Sequence, residues 1–120
     1  MKKFILTLLV ICCSVAVQAQ LTNTKWKATL QLDSEVETVF SFVTDTLNVT
    51  VAEDNSLLES MSYTIKDSVL TLVKINGQST CNDFAGRYSF VLENNEITLT
   101  LIEDECDDRA AVLDKLKLTK

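Results

Sequence analysis

The sequence predicts an all-β fold, an eight-stranded antiparallel up-and-down meander that closes into a small barrel. Apolar residues alternate with polar ones along eight segments, the breaks between segments are short and polar, and no long helical segment separates them. Alternation is typical of strands with one buried face, and short connections join antiparallel neighbours. Closure removes exposed strand edges, so we favour a barrel over the alternative, a sandwich of two sheets.

Each segment places its apolar side chains on every second position. In the first, Trp26, Ala28 and Leu30 share one face, while Lys27 and Thr29 occupy the other. Successive side chains of a strand point to opposite faces, so this pattern predicts one buried and one solvated face. The eight segments are, in chain order, 26–32, 37–42, 47–51, 60–65, 70–73, 87–92, 97–101 and 115–118.

The connections carry residues that tight turns prefer, mainly Asp, Asn, Ser and Gly. Between the seventh and eighth segments, residues 107–113 are expected to form one or two helical turns, with an acidic residue capping their start. The other breaks are residues 33–34, 44–45, 53–56, 66–67, 76–77 and 93–95.

Residues 1–19 are expected to be a signal peptide. Lys2 and Lys3 precede an apolar run over 4–17, and small or tolerated residues lead to cleavage after Ala19. The run is short for a transmembrane helix, so we expect no membrane insertion after cleavage. Two cysteines inside the run lack the small preceding residue of a lipobox, which makes a lipoprotein the less favoured alternative. The mature chain, 20–120, is expected to be one domain, secreted or periplasmic.

Two cysteines, Cys81 and Cys106, remain after cleavage. In an oxidising compartment such a pair usually forms a disulfide, which here would tie the start of the sixth strand to the end of the seventh. A metal pair and reactive thiols are the alternatives, but the chain has no histidine and no Cys-x-x-Cys motif.

The charge and composition disfavour several functions. Removing Lys2 and Lys3 from the 11 basic residues leaves 9 against 17 acidic ones, a net charge of −8 that repels nucleic acids and anionic lipids. The absence of histidine removes Ser-His-Asp and Cys-His arrangements, and two glycines are too few for a phosphate loop. We therefore predict a protein that is not an enzyme, with no cofactor and no metal.

Five aromatic side chains are expected to point into the barrel. They could line a pocket for an apolar ligand, or they could fill the interior, since about eight strands enclose little more than their own side chains. On the outward face Val39, Val43, Val73, Val91 and Ile102 are candidates for an exposed apolar patch. The candidate ligand-binding residues are Phe40, Phe42, Tyr63, Tyr88 and Phe90.

The acidic residues around Cys106 allow two interpretations. Carboxylates can bind calcium, but the order of residues does not match an EF-hand loop. We favour a solvated turn in which one carboxylate pairs with Arg109. The acidic residues are Glu103, Asp104, Glu105, Asp107 and Asp108.

Two segments carry a resemblance to a known family. "LTNTKWKATLQL" resembles the opening strand of small lipocalin-like proteins, in which a tryptophan equivalent to Trp26 closes one end of the barrel. "AGRYSFVLENNEITLTLIEDECDDRAAVL" is similar to the closing half of bacterial secreted lipocalin-like domains. This resemblance implies that Arg109 packs over Trp26 at the barrel floor. The matching positions in the closing half are Gly86, Tyr88, Asp104, Cys106 and Arg109.

A second resemblance is weaker. "CNDFAGRY" is similar to a segment of META-type exported domains, which are also small β proteins. Both resemblances are compatible with a binding module for one small apolar or amphipathic ligand, acting as a monomer or weak dimer. The alternative is a non-catalytic structural or interaction protein of the cell envelope with a filled barrel.

Overall fold

A computed structural model describes residues 21–120, and the expected signal peptide lies outside these residues. Each strand pairs antiparallel with the next, and β8 pairs with β1 through Lys27 and Thr119, which closes the barrel. The predicted up-and-down barrel is therefore confirmed, and the sandwich is not formed. The elements are β1 Thr24–Gln31, β2 Glu35–Val43, β3 Thr46–Val51, β4 Leu57–Lys66, β5 Val69–Gly77, β6 Gly86–Glu93, β7 Glu96–Asp104, α1 Asp107–Leu113 and β8 Lys117–Thr119.

One end of the barrel, here called the closed end, is formed by three tight hairpin turns, at residues 44–45, 67–68 and 94–95. Asp67 and Ser68 have φ values of 52° and 62°, and Asn94 and Asn95 have 53° and 60°. Two consecutive residues with positive φ match the twist of the flanking strands, and short polar side chains tolerate this conformation. The local sequence therefore determines how β4–β5 and β6–β7 turn.

The opposite end, here called the open end, has longer connections, at residues 32–34, 52–56 and 78–85, and it is where α1 follows β7. Three β-bulges lie on this side, at Val49/Thr50, Ser60/Met61 and Arg87/Tyr88. A bulge bends its strand and shifts the register by one residue, and bulges are common at barrel rims. The inner face is therefore less regular here than at the closed end.

The core follows the alternation in the sequence. In β1, for example, Trp26, Ala28 and Leu30 are buried and the residues between them are exposed. The polar inward residue Thr38 is also buried, and its hydroxyl donates a hydrogen bond to the carbonyl oxygen of Ala28 at 2.7 Å. The pattern thus predicted correctly which face of each strand is buried.

Trp26 lies at the closed end and is 2% exposed. Its indole Nε1 donates to Thr24 Oγ1 at 2.9 Å. The Nζ of Lys120 lies 4.5 Å from the centroid of the indole, a distance at which a cation is attracted to the ring face. The tryptophan therefore closes this end with the C-terminal residue above it.

The expected packing of Arg109 over Trp26 is corrected by the structure. Thr119 pairs with both Lys27 and Glu96, which sets Trp26 level with the first residues of β7. Arg109 instead lies in α1, after the end of β7 and at the open end of the barrel. Its guanidinium forms an ion pair there with Asp104. Lys120 takes the place over the indole because β8 returns the chain to the closed end.

The helix α1 begins where expected, but its capping differs from the prediction. Its N-cap residue is Cys106, which makes no side-chain capping hydrogen bond, and the acidic residues Asp107 and Asp108 occupy the first turn. Carboxylates in the first turn favourably oppose the positive end of the helix dipole. Within residues 21–120, no helix has the length and apolar character needed to cross a lipid bilayer.

Candidate functional site

A cavity of about 550 Å³ opens at the open end of the barrel. Its floor is formed by buried inner-face side chains of β1 to β4, one wall by α1, and its rim by polar side chains. Small-molecule sites typically have volumes of about 300–1,000 Å³ and mainly apolar walls with a few polar groups. The lining residues are Leu30, Gln31, Leu32, Asp33, Phe40, Val49, Leu58, Glu59, Met61, Gln78, Ser79, Asp108, Arg109, Ala111, Val112 and Leu113.

The five aromatic residues proposed from the sequence all point inward, since none is more than 7% exposed. Phe40 lines the cavity, but Phe42, Tyr63, Tyr88 and Phe90 do not. These four side chains belong instead to the packed part of the barrel. Of the five residues, Phe40 alone lines this cavity, and the assignment of the five as ligand-binding residues stays a prediction.

Internal contacts explain why the two tyrosines do not face the cavity. The ring of Tyr63 meets that of Phe42 edge to face, with centroids 5.1 Å apart, and its hydroxyl donates to the carbonyl oxygen of Thr44 at 3.0 Å. The hydroxyl of Tyr88 donates to Asp104 Oδ2 at 2.5 Å. Each phenol thus finds within the chain the partner that a ligand would otherwise have to supply.

Asp104 is the centre of a buried hydrogen-bond network beside the cavity. Its Oδ2 accepts from Arg109 Nε at 2.6 Å as well as from Tyr88, and its Oδ1 accepts from Arg109 Nη2 at 2.8 Å and from the backbone N–H of Cys106 at 2.9 Å. Two-point pairing between a guanidinium and a carboxylate is among the strongest hydrogen-bonded arrangements. The predicted pairing of one carboxylate with Arg109 is therefore confirmed.

The network shifts the ionisation of all three side chains. Burial acts to raise the pKa of Asp104, but hydrogen bonds from Arg109, Tyr88 and Cys106 outweigh it and lower that pKa. The hydrogen bonds to Asp104 raise the pKa of Arg109 against the opposing effect of burial. Burial and the hydrogen bond to Asp104 strongly raise the pKa of the Tyr88 phenol. Asp104 and Arg109 therefore stay charged and Tyr88 stays neutral across the physiological range.

Gly86 provides the space that the network needs. A Cβ atom at this position would lie 2.3 Å from Asp104 Oδ2 and 2.9 Å from Arg109 Nε. Gly86 is paired with Asp104 across β6 and β7. The backbone N–H of Cys106 donates to the same carboxylate. The five positions that match the closing half of the lipocalin-like pattern therefore lie together around Asp104.

A disulfide joins Cys81 to Cys106, with the Cα atoms 5.4 Å apart. Cys81 lies in the β5–β6 loop, ahead of β6, and Cys106 follows β7 as the N-cap of α1, so the bond links a loop to the helix rather than two strand ends. Thr80 Oγ1 also donates to Asp108 Oδ2 at 2.7 Å, and Arg109 Nη2 donates to the Phe84 carbonyl oxygen at 2.9 Å. Three links thus fix the β5–β6 loop against α1 at the mouth of the cavity.

The remaining acidic residues near Cys106 include one with a partner at the surface. Glu103 Oε1 lies 2.8 Å from Arg87 Nη1, and both side chains are exposed. Over residues 21–120, the structure brings no three Cys, Asp or Glu side chains into an arrangement suited to a metal ion. Of the acidic residues near Cys106, Asp104 therefore belongs to the buried network, whereas Glu103 lies at the solvated surface.

A second ion pair, which the sequence interpretation missed, lies on the cavity wall. Glu59 lines the cavity and lies 3.9 Å from Lys74 Nζ, with side-chain exposures of 12% and 15%. Both oxygens of this carboxylate accept from Ser79, from its hydroxyl and its backbone N–H. The alternation in the sequence contained a signal for this pair. Glu59 lies two residues before the buried Met61, and Lys74 lies two residues after the buried Leu72, so both fall on inward faces.

Comparison of the chain with models of protein families, with curated proteins and with solved structures found no match. The eight-stranded antiparallel barrel is compatible with a lipocalin-like fold. Membership of the lipocalin-like or META-type families stays a prediction from the short motifs described above.

Proposed function

We propose that this protein is an exported, non-catalytic binding module that takes one small apolar or amphipathic molecule into the cavity at its open end. The main support is the cavity at the open end, whose lining includes the inner-face residues Phe40, Val49 and Met61. An apolar floor with a polar rim suits a molecule that has one apolar and one polar end.

Export is part of the proposal and rests on two features. The first nineteen residues have the organisation of a signal peptide. The disulfide between Cys81 and Cys106 favours a compartment that is oxidising, such as the periplasm or the cell exterior.

The binding test uses a pair of variants with the same chemical change. Val49→Phe adds a ring to the cavity floor, whereas Val91→Phe adds one on the outward face of β6, where Val91 is 57% exposed. Displacement of the uncharged dye Nile red by monodecanoylglycerol is measured by fluorescence. We expect displacement with the wild type and Val91→Phe and its loss with Val49→Phe, while thermal unfolding shows that all three are folded. Equal binding by all three folded proteins contradicts the cavity as the site.

A second function, an envelope interaction protein, is favoured by a different observation. Five large apolar side chains are exposed on the elements around the open end: Leu32, Leu57, Ile75, Phe84 and Ile102. Of the outward residues expected from the sequence, Val43, Val91 and Ile102 are exposed, whereas Val39 and Val73 are half-buried. Analytical ultracentrifugation of the wild type and of Phe84→Ser tests this alternative. It requires that the wild-type protein self-associates and that the substitution weakens this association.

A further inference from the structure

The side chain of Arg109 has one nitrogen that the fold leaves without a partner. The side chain is 4% exposed, and Nη1 is, among the buried side-chain nitrogens and oxygens of residues 21–120, the one that makes no hydrogen bond. Nε and Nη2 are bonded to Asp104, and Nη2 also donates to the Phe84 carbonyl oxygen. Buried polar groups are nearly always hydrogen-bonded, so an unpaired donor calls for an acceptor.

Because Arg109 lines the cavity, a ligand bound there is a source of such an acceptor. Arg109 lines the cavity, and Asp104 takes the Nε–Nη2 edge of the planar guanidinium, which leaves Nη1 on the opposite side. The network around Asp104 also fixes the guanidinium, so little freedom remains to be lost when a ligand binds. A donor that is held in place in this way favours binding because its ordering has already occurred.

The charges around the cavity decide what kind of acceptor is suitable. The guanidinium charge is already neutralised by Asp104, and the carboxylate of Glu59 lies 3.9 Å from Lys74 Nζ. Asp33 and Asp108 line the same cavity, and neither forms a described salt bridge. A bound carboxylate or phosphate would therefore meet an excess of negative charge, and like charges at close range oppose binding.

We propose that the cavity selects an uncharged amphiphile: a hydrocarbon chain against Leu30, Phe40 and Met61, and a polar end whose carbonyl or hydroxyl oxygen accepts a hydrogen bond from Arg109 Nη1. The proposal rests on the function proposed above and adds the chemical class of ligand to it. Esters, amides and alcohols of medium-length chains belong to this class. Free fatty acids in their ionised form do not, although an arginine lies in the site.

The first experiment compares ligands that share a chain and differ in the polar end. Binding of monodecanoylglycerol, decanamide, decanoate and decyltrimethylammonium to the wild-type protein is measured by displacement of Nile red, below the concentrations at which each amphiphile forms micelles. We expect the two uncharged compounds to bind at least about tenfold more tightly than decanoate, whose charge the cavity carboxylates repel, and more tightly than the cation, which offers Arg109 Nη1 no acceptor. Tightest binding of decanoate, tightest binding of the cation, or no difference among the four would each overturn the proposal.

This comparison also separates the two proposals. If none of the four compounds binds, the proposed function fails, and the present inference fails with it. If they bind but the ions bind as tightly as the uncharged compounds, the function stands and the inference alone is rejected.

The second experiment observes the guanidinium directly. The chain has two arginines, and Arg87 is exposed in a surface pair with Glu103, so Arg87→Lys leaves Arg109 as the source of all guanidinium signals. The nitrogen-15 NMR spectrum of this variant is recorded with and without decanamide. We expect the Nη1 hydrogens to shift and to exchange more slowly with solvent when decanamide is bound, and we expect no such change in the Arg87→Lys, Val49→Phe double variant. Unchanged Nη1 signals in a saturated complex would overturn the assignment of Arg109 as the donor.

Discussion

Asp104 and Arg109 form a two-point ion pair at the place where β7 leaves the barrel, with Nε–Oδ2 and Nη2–Oδ1 distances of 2.6 and 2.8 Å. The Asp104 side chain is 0% exposed and that of Arg109 is 4% exposed. The pair orders the turn into α1 and accepts a hydrogen bond from the hydroxyl of Tyr88, and Arg109 is one of the residues that line the cavity. It is therefore the link between the stability of the open end and the chemistry of the site.

Asp104→Asn should destabilise the protein strongly. The substitution removes one partner of a buried pair and leaves the guanidinium charge uncompensated, which costs about 3–5 kcal/mol in free energy of unfolding. The matched control is the neighbouring change Glu103→Gln, in an exposed pair, which should cost about 0–1 kcal/mol. Urea unfolding followed by circular dichroism gives both values, and similar values for the two variants would contradict the role given to Asp104.

Acid should remove the contribution of Asp104. Its pKa is lower in the folded protein than the value of about 3.9 of an unfolded chain, so its stabilising effect is fully present above that pH and is lost as the pH falls through the folded-state pKa. The difference in unfolding free energy between the wild type and Asp104→Asn should therefore shrink as the pH falls below about 4. A difference that stays constant down to the acid transition would show that ionisation of Asp104 does not contribute.

Alkali should unfold the protein through Tyr88. Its pKa is raised well above the value of about 10 of a free phenol, so stability is unaffected below that pH and is lost as the pH rises above it, when unfolding releases a proton. The sequence has two tyrosines, and Tyr63→Phe leaves Tyr88 alone to be observed. We expect phenolate absorbance to appear together with the loss of folded-state circular dichroism. Ionisation within a protein that remains folded would contradict this prediction.

The disulfide should stabilise the mouth of the cavity. Cys81 and Cys106 are 25 residues apart, and a loop of that length gives about 3.5 kcal/mol in the chain-entropy model. We expect the Cys81→Ser, Cys106→Ser double variant to lose about that much stability. Hydrogen exchange should accelerate first in the β5–β6 loop and α1, which the bond joins. Uniform acceleration over the barrel would show that the bond acts only on the unfolded chain.

Two identical substitutions test whether the open space exists. Leu30 lines the cavity, whereas Leu47 is buried at 1% exposure and does not line it. Leu30→Phe can extend its ring into open space and should change stability by less than about 1 kcal/mol, while Leu47→Phe overpacks the core and should cost about 1–3 kcal/mol. Equal costs, measured by urea unfolding, would indicate a barrel that is filled throughout.

The sequence determined the strands because alternation is a local signal. The segments around Tyr63 and Phe90 contain the whole pattern that buries one face, and Asn94–Asn95 already carries the residues that a tight turn requires. The same alternation identifies inward side chains correctly, including all five of the proposed aromatic residues. The assignment of inward side chains from alternation is correct wherever the strand pairing is regular.

The cavity could not be predicted in the same way. Alternation states which side chains face inward but not how much space remains between them, and that space depends on bulges such as Ser60/Met61 that shift the register. The packing of Arg109 over Trp26 is also wrongly expected, because a motif gives no position along the barrel axis, whereas the pairing of Arg109 with a nearby carboxylate is correctly expected. Asp104, five residues away in sequence, was the nearer partner once β7 ended and α1 began.

A methyl NMR titration of the wild-type protein with monodecanoylglycerol shows most directly whether a ligand enters the open end of the barrel. We expect the methyl signals of Leu30, Val49 and Leu113, which line the cavity, to shift and to saturate at one ligand per chain, while those of Leu47 and Leu118 in the packed part stay in place. Shifts confined to outward residues such as Val43 and Val91, or no shifts at all, would contradict a ligand site inside the open end of the barrel.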